Sequence, residues 1–452
     1  MYSPMYKLEF TLKQHTPLIH FQHDQEGATL RATEVKPKLD RFIVEKLGGI
    51  ETLRNAHPDW FISNLNNALN YQMRISIADS FSYPIEVPKL DNFNSIIRSN
   101  YGKIETEGFP CYFGNMGKDG TLKDKEFVFS QGIITIVLYS DCLSLVDFLK
   151  NQEGEEIRQL FFNKRNFTNR QSKGFGSFST INNHGGIECT DSKYYFDIVI
   201  NRAKIKSLRI QHNSRFPNEE ITDDQLLLLD KWKKLFYNIN LFHKVIKSGY
   251  NQQRGYVKSA LFKYFKEIRQ IQWDKKTIKE EYFSAKLKDQ IDIHPDSDIL
   301  EYHEVETDFR KKSAKGNLFL VRDLLGLTSK AEWKQSYSNA IITKTNSEID
   351  RFKSPLTYKP ILFSNEGVEF FRVFLFFVKI PDGFLEKSFN VKVNKVGNLV
   401  LDTPDRKTFS LKEYFNYLTS EDFEIDDLIN SENRDTDLIR SMFKMLKFKE
   451  DE

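Results

Sequence analysis

YKLEFTLK, residues 6–13, alternates, whereas LRATEVKPKLDRFIVEKLGG, residues 30–49, repeats every three or four positions; this change of period decides the fold class. Tyr6, Leu8, Phe10 and Leu12 fall on one face of a strand, because successive side chains of an extended chain point to opposite sides. Val35, Leu39, Phe42, Ile43 and Leu47 make one apolar helix stripe. Lys36, Lys38 and Arg41 decorate the start of that helix. Pro37 is tolerated only near a first turn, and Gly48-Gly49 supplies the stop. The turn-like HFQHDQEGAT, residues 20–29, lies between strand and helix.

Working outward, Tyr71–Ala78 and Phe127–Tyr139 read as strands and Glu155–Phe162 as a helix. A basic, glycine-containing turn follows, and Tyr194–Ile200 resumes as a strand. The order approximates β-α-β-β-α-β and predicts an α+β, ferredoxin-like domain over residues 1–205, with an insertion. Residues 221–246 and Val257–Ile268 predict helices, and VEFFRVFLFFVKI, residues 368–380, predicts a strand. VKPKLDRF at Val35 and VKSALFKY at Val257 share valine, lysine, leucine, a basic residue and an aromatic in the same order. A match half a chain apart predicts a second, related domain over residues 206–380, including a helical connection, and a partly helical extension over 381–452.

The chain has 452 residues, of which 40% are hydrophobic and 14% aromatic, so it can bury substantial cores. Its 66 basic and 63 acidic residues leave a formal charge of +3, which excludes a uniform polycation. Nucleic-acid binding must then rest on local basic surfaces. Cys111, Cys142 and Cys189 are far apart and form no CxxC unit, so neither a zinc site nor a disulfide scaffold is expected. No secretory signal opens the sequence, and the apolar run Phe370–Ile380 carries Arg372 and Lys379 and is too short to span a bilayer. The natural reading is a cytoplasmic protein without membrane contact.

NKRNFTNRQSKGFGSFSTI, residues 163–181, is the most informative local motif. Arg158, Lys164, Arg165, Arg170 and Lys173 bring positive charge, and no acidic residue lies between Arg158 and Gly176. Gly174 and Gly176 allow a tight turn whose amides approach phosphate, and Phe175 either covers a base or packs beneath the loop. An ordinary structural turn has the same composition. GxxxxGK[ST] and GxGxxG are absent, so ATP and NAD have no signature and no cofactor is expected. Arg31, Lys36, Lys38 and Arg41 form a second basic group at the helix entrance, where exposed backbone donors also favour phosphate. Arg254, Lys258 and Lys263 form the corresponding later group. Arg351, Lys353 and Lys359 in RFKSPLTYKPI either follow an RNA backbone or brace a domain edge. His15, His20 and His23 are the best argument for acid–base chemistry, but His15 lies at the strand's end and the His20/His23 spacing in a loop fixes no shared geometry.

TPLIHFQHDQEGATLRATEVKPKLDRF, SKGFGS, VKSALFKYF and RFKSPLTYKPI, in this order, resemble the RAMP superfamily of CRISPR-associated proteins. The chain is most similar to the first, two-domain subunit of the type III-B, or Cmr, effector. The resemblance covers about residues 6–380; Pro37 stands where the family often has glycine beside its basic position. It implies tandem ferredoxin-like, RRM-like domains, assembly with other Cmr-type subunits, and binding of CRISPR RNA and complementary target RNA without catalysis. On this reading the subunit caps the filament end that holds the 3′ part of the guide, and base pairing rather than protein selects the target. The implied positioning surface is Arg31, Lys36, Arg41, Arg170, Lys173, Gly174 and Gly176, with Arg254, Lys258, Arg351 and Lys353 in the second domain and Phe175 as a base stacker. Two alternatives stand beside it: a metal-independent RAMP endoribonuclease using His20 or His23 on CRISPR precursor RNA, and a mainly structural protein-interaction subunit.

Overall fold

β1 (Tyr6–Gln14) buries Leu8 and Leu12 and exposes Lys7, Glu9 and Lys13, as its alternation predicts. The computed structural model describes residues 5–19, 29–63, 66–110, 126–181, 192–201, 204–252, 255–278, 319–334, 339–433 and 435–448. After β1 the chain forms α1 (Ala32–Lys46), β2 (Gln72–Pro84), β3 (Glu126–Ser140), α2 (Leu143–Lys150), α3 (Gln152–Lys164) and β4 (Phe178–Thr180). The strands lie in the order β2-β3-β1-β4, every pairing antiparallel.

Local chemistry explains the helices. α1 buries Val35, Leu39, Phe42 and Ile43, as expected, but begins at Ala32, so Pro37 sits inside the helix with its ring exposed. There it removes one backbone bond without burying an orphaned group, which corrects its expected place in the first turn. Asn151 opens α3 by accepting the Gly154 N–H at 2.8 Å. Val35, Leu39 and Ile43 join Leu12, Ile134, Ile136, Phe161, Phe162, Phe167 and Phe178 in one core cluster. Each such side chain contributes about 1.5–3 kcal/mol on burial.

A second sheet follows from β5 (Tyr194–Val199), a helix at Ile205–Arg215, α4 (Asp223–Lys247), β6 (Leu356–Asn365), β7 (Val368–Phe377) and β8 (Lys447–Phe448). Its strand order is β6-β7-β5-β8. A two-residue strand, Leu18–Ile19, also pairs with β3 in the first sheet; apart from it, both sheets read second, third, first, fourth by chain order. Glu366 and Gly367 join β6 to β7 with φ of 49° and 78°, the positive pair that a two-residue hairpin turn requires. Thr222 and Gln225 begin α4 with reciprocal bonds of 3.0 and 3.2 Å, a capping box.

This arrangement corrects the expected partner of Tyr194–Ile200. The free edge of β1 is taken by β4, a three-residue strand too short to read from periodicity, and β5 pairs instead with β7 and β8. Lys447 and Phe448, expected in an extension, supply the last edge strand. The chain accordingly divides into two compact units at other boundaries than 205 and 380. One comprises Met1–Asn240, Thr357–Phe376 and Met445–Glu452, and the other Leu241–Leu356 and Phe377–Lys444.

The second unit has its own sheet, with strands Lys330–Lys334, Asn339–Thr345, Ser388–Val393 and Val396–Asp402 in that order. The expected helix Val257–Ile268 starts three residues late. Val257 ends a strand, Ser259 caps Ala260–Tyr264 by accepting the Phe262 N–H, and a wider turn covers Phe265–Arg269. Val35 lies within α1, so the two matching octapeptides occupy different positions relative to their helices. No described helix is long and apolar enough to cross a membrane.

Candidate nucleic-acid interface

The glycine-rich loop leaves α3 at Lys164 and returns as β4. Phe167 N–H donates to Gly176 O at 2.9 Å, and Gly176 N–H donates to Pro17 O at 2.9 Å. Gly174 has φ +94° and Gly176 φ +67°. A Cβ at Gly174 would lie 2.9 Å from Pro360 Cγ, and one at Gly176 only 2.1 Å from Phe167 O. Both positions require glycine for conformation and for close approach.

These contacts overturn part of the predicted site. The Gly174 N–H is bonded to Gln171 O at 3.2 Å, the Gly176 N–H to Pro17 O and the Ser177 N–H to Thr16 Oγ1 at 2.9 Å, so the amides around the two glycines are committed within the protein rather than offered to phosphate. Gly174 and Gly176 are buried. Phe175 is fully buried and stacks on Phe236 of α4 at 3.9 Å, with 9° between the rings. It is a core residue, out of reach of a base.

The loop is fastened to β6. Asn166 Nδ2 donates to Tyr358 O at 2.7 Å, and Ser177 Oγ to Pro360 O at 2.6 Å. Lys359, 0% exposed, donates to Arg165 O at 2.9 Å and Phe178 O at 2.7 Å. Of the two readings of RFKSPLTYKPI, Lys359 therefore serves the bracing one. His15 belongs to the same seam: Nδ1 accepts the Leu362 N–H at 3.2 Å and Nε2 meets Ser179 Oγ at 2.8 Å. Burial, with Lys359 and Lys13 adding positive potential, pushes its pKa well below the ordinary histidine value. A neutral ring with both nitrogens engaged is a structural pin.

On its outer side the loop meets the start of α1. Glu34 Oε1 accepts the Thr168 N–H at 2.7 Å and the Lys38 ammonium at 2.7 Å. The two basic groups read separately in the sequence are thereby neighbours. Arg41 and Arg165 are exposed, while Arg31, Lys38, Lys164, Arg170 and Lys173 are half-exposed. Arg170 holds φ +61° at the turn preceding Gln171–Lys173.

Lys36 departs from this group. Two residues from Lys38 it lies about 200° round the helix. It bonds Asp40 at 2.6 Å and Leu69 O at 2.9 Å and sits 4.2 Å over the Tyr71 ring. It is a clamp inside the domain, which corrects its expected phosphate role. Arg158 also leaves the basic run: it is 5% exposed and lies 4.8 Å over Phe10, and burial pushes its pKa down to about 10. Glu34, which joins the two groups, carried no sequence signal beyond a carboxylate in a first helical turn.

Lys258, Arg351 and Lys353 lie in the second unit. Lys258 is half-buried and donates its backbone N–H to Leu428 O at 2.7 Å. Arg351, exposed, pairs in register with Thr328 on a two-stranded element, and Lys353 follows it, also exposed. Arg254, His20 and His23 lie outside the described residues. Among the described residues no group of three or more His, Cys, Asp or Glu is placed to hold a metal ion.

A five-stranded and a four-stranded antiparallel sheet, with a basic loop and helix entrance on the first, define an α+β protein. The chain belongs to the Cmr1 family: the Cmr1 N-terminal domain matches residues 5–250 and the Cmr1 C-terminal domain residues 256–447. Membership makes it a subunit of the multi-subunit type III-B Cmr complex, a CRISPR effector. The second match ends at β8, so it includes most of the segment expected as an extension. No curated protein matches the chain.

Proposed function

We propose that this subunit binds CRISPR RNA or its complementary target by the phosphates and positions it at the filament end that holds the 3′ part of the guide, in the cytoplasm, without cutting it. The observation that carries the reading is the Glu34–Thr168 bond, which sets Arg31, Lys38 and Arg41 beside Lys164, Arg165, Arg170 and Lys173. Cations held on a folded edge contact phosphates without reading sequence, leaving target choice to base pairing. Each sheet, with its intervening helices, has the strand order of a ferredoxin-like fold, and this supports reading the chain as two such folds in tandem, with the second unit's sheet as an elaboration. The C-terminal half contributes Lys258, Arg351 and Lys353, and Arg254 beside them in sequence.

His15 is buried with both ring nitrogens bonded within the protein, so it is not placed to act on substrate; His20 and His23, on which the cleaving alternative rests, lie outside the described residues. Arg170→Ala with Lys173→Ala, in a Cmr complex reconstituted with its guide, is expected to reduce salt-sensitive RNA cross-linking to this subunit while the chain stays folded. Undiminished cross-linking rejects the positioning role. Metal-independent cleavage of guide precursor RNA by the purified chain rejects the non-catalytic reading.

A further inference from the structure

We propose that the outer face of the second sheet is a stacking platform for unpaired RNA bases. β5 and β7 bury Tyr194, Phe196 and Ile198, and Phe371, Val373 and Leu375, on one face. Alternation then sends Tyr195, Asp197 and Val199, and Phe370, Arg372 and Phe374, to the other. The register places Phe370 opposite Val199, Arg372 opposite Asp197 and Phe374 opposite Tyr195. From β6 Phe363 stacks on Phe370, with centroids 5.6 Å apart and 15° between planes. Phe374 and Ile361 are themselves buried, 6% and 0% exposed, and form the floor against which the partly exposed Tyr195, Phe363 and Phe376 pack. Val199 and Val368 remain 47% and 52% exposed.

The centre of the face is a charged pair. Arg372 donates Nε and Nη2 to the two oxygens of Asp197, each at 2.8 Å. Its guanidinium lies 4.5 Å over Tyr195 and 5.7 and 5.6 Å from the Phe363 and Phe370 centroids. A guanidinium fixed by Asp197 among rings adds a planar group to them, and bases stack on both kinds. Lys447 of β8, exposed, stands opposite Tyr195 in the register, where cross-strand neighbours share a face. The occupant that fits rings, a fixed guanidinium and a flanking ammonium is a short run of single-stranded RNA, its bases over the rings and its phosphates toward the cations.

Position favours the same polymer. β6 carries Phe363 and is also the strand to which Asn166 and Ser177 of the basic loop are bonded. β6 is the neighbour of β7, so the strand that anchors the basic loop also borders the ring-bearing face. The inference rests on the RNA-binding reading above for the polymer and adds where its unpaired bases go.

The test is binding of a short fluorescein-labelled oligouridylate and of an RNA duplex by the purified full chain. Tyr195→Leu and Phe370→Leu keep apolar bulk and lose the ring plane. Each is expected to weaken oligouridylate binding roughly tenfold, the loss of one base stack, and to leave duplex binding unchanged. Arg170→Ala with Lys173→Ala is expected to weaken both. Leucine variants that melt like the wild type and bind oligouridylate equally well overturn the platform while leaving the RNA reading intact. The same holds if they lose other Cmr subunits on copurification without losing oligouridylate, which makes the face a protein interface. A wild-type chain that binds neither RNA overturns both.

Discussion

The carboxylate of Glu34 holds the backbone N–H of Thr168 at 2.7 Å, across 134 residues of chain. That single acceptor, also bonded to Lys38, sets the first helix beside the basic loop and turns two weak sequence signals into one surface. The opposite end of the loop is sealed by Phe175, Gly174 and Gly176. The loop thus has a packed inner side and a charged outer side.

Glu34→Ala is expected to lower the denaturation midpoint of the first unit by the equivalent of about 1–2 kcal/mol, because Thr168 loses a charged acceptor. It is also expected to weaken RNA binding without removing any cation. Equal RNA affinity in a folded variant would mean that the loop's placement does not matter.

Gly176→Ala forces a Cβ to 2.1 Å from Phe167 O at a left-handed φ of +67°. Gly132→Ala, at φ +88° with nothing within 4 Å, carries the conformational cost alone. Thermal unfolding should separate them: about 1 kcal/mol at Gly132 and several-fold more, or insoluble protein, at Gly176. Similar melting of the two variants would remove the close-approach argument.

Phe175→Ala is expected to cost about 3–5 kcal/mol, the usual penalty for emptying a buried aromatic position, with little change in RNA affinity for the protein that remains folded. A base stacker would give the reverse pattern in paired stability and binding assays.

His15 titrates far lower when folded than when unfolded, so the unfolded chain binds the extra proton first as pH falls. Its contribution is therefore complete above about pH 6.5, and stability drops by about 1.4 kcal/mol per pH unit below that. Denaturation midpoints measured from pH 7.5 downward should show this slope, and His15→Gln should flatten it.

Arg41→Ala is expected to make the dependence of log affinity on log salt shallower by about 0.7, as one phosphate contact is lost. Lys36→Met should leave that slope alone and reduce stability by about 2 kcal/mol, since Asp40, 4% exposed, loses its ammonium partner. A Lys36 variant that changes the salt slope would return that residue to the RNA surface.

Periodicity made β1, α1 and the course of α4 readable, because an apolar face repeats along each. β4 was not, since the three residues Phe178–Thr180 carry no period. The partner of β5 was hidden for another reason: strands β7 and β8, which complete its sheet, arrive far later in the chain. The basic character of the loop was legible from Arg170 and Lys173, but its covered side was not. What lies against Phe175 is a ring on α4, 61 residues further along. Lys359 left two readings open in the sequence, RNA contact or bracing, and only the carbonyls that hold it, of Arg165 and Phe178, decide for bracing.

The most direct measurement is ultraviolet cross-linking of RNA to this subunit in the native Cmr particle, with adducts mapped to peptides. The account predicts adducts on the segments carrying Arg31–Arg41 and Lys164–Lys173, fading as salt rises. A particle whose RNA cross-links elsewhere on the subunit and leaves both segments unmodified would contradict it.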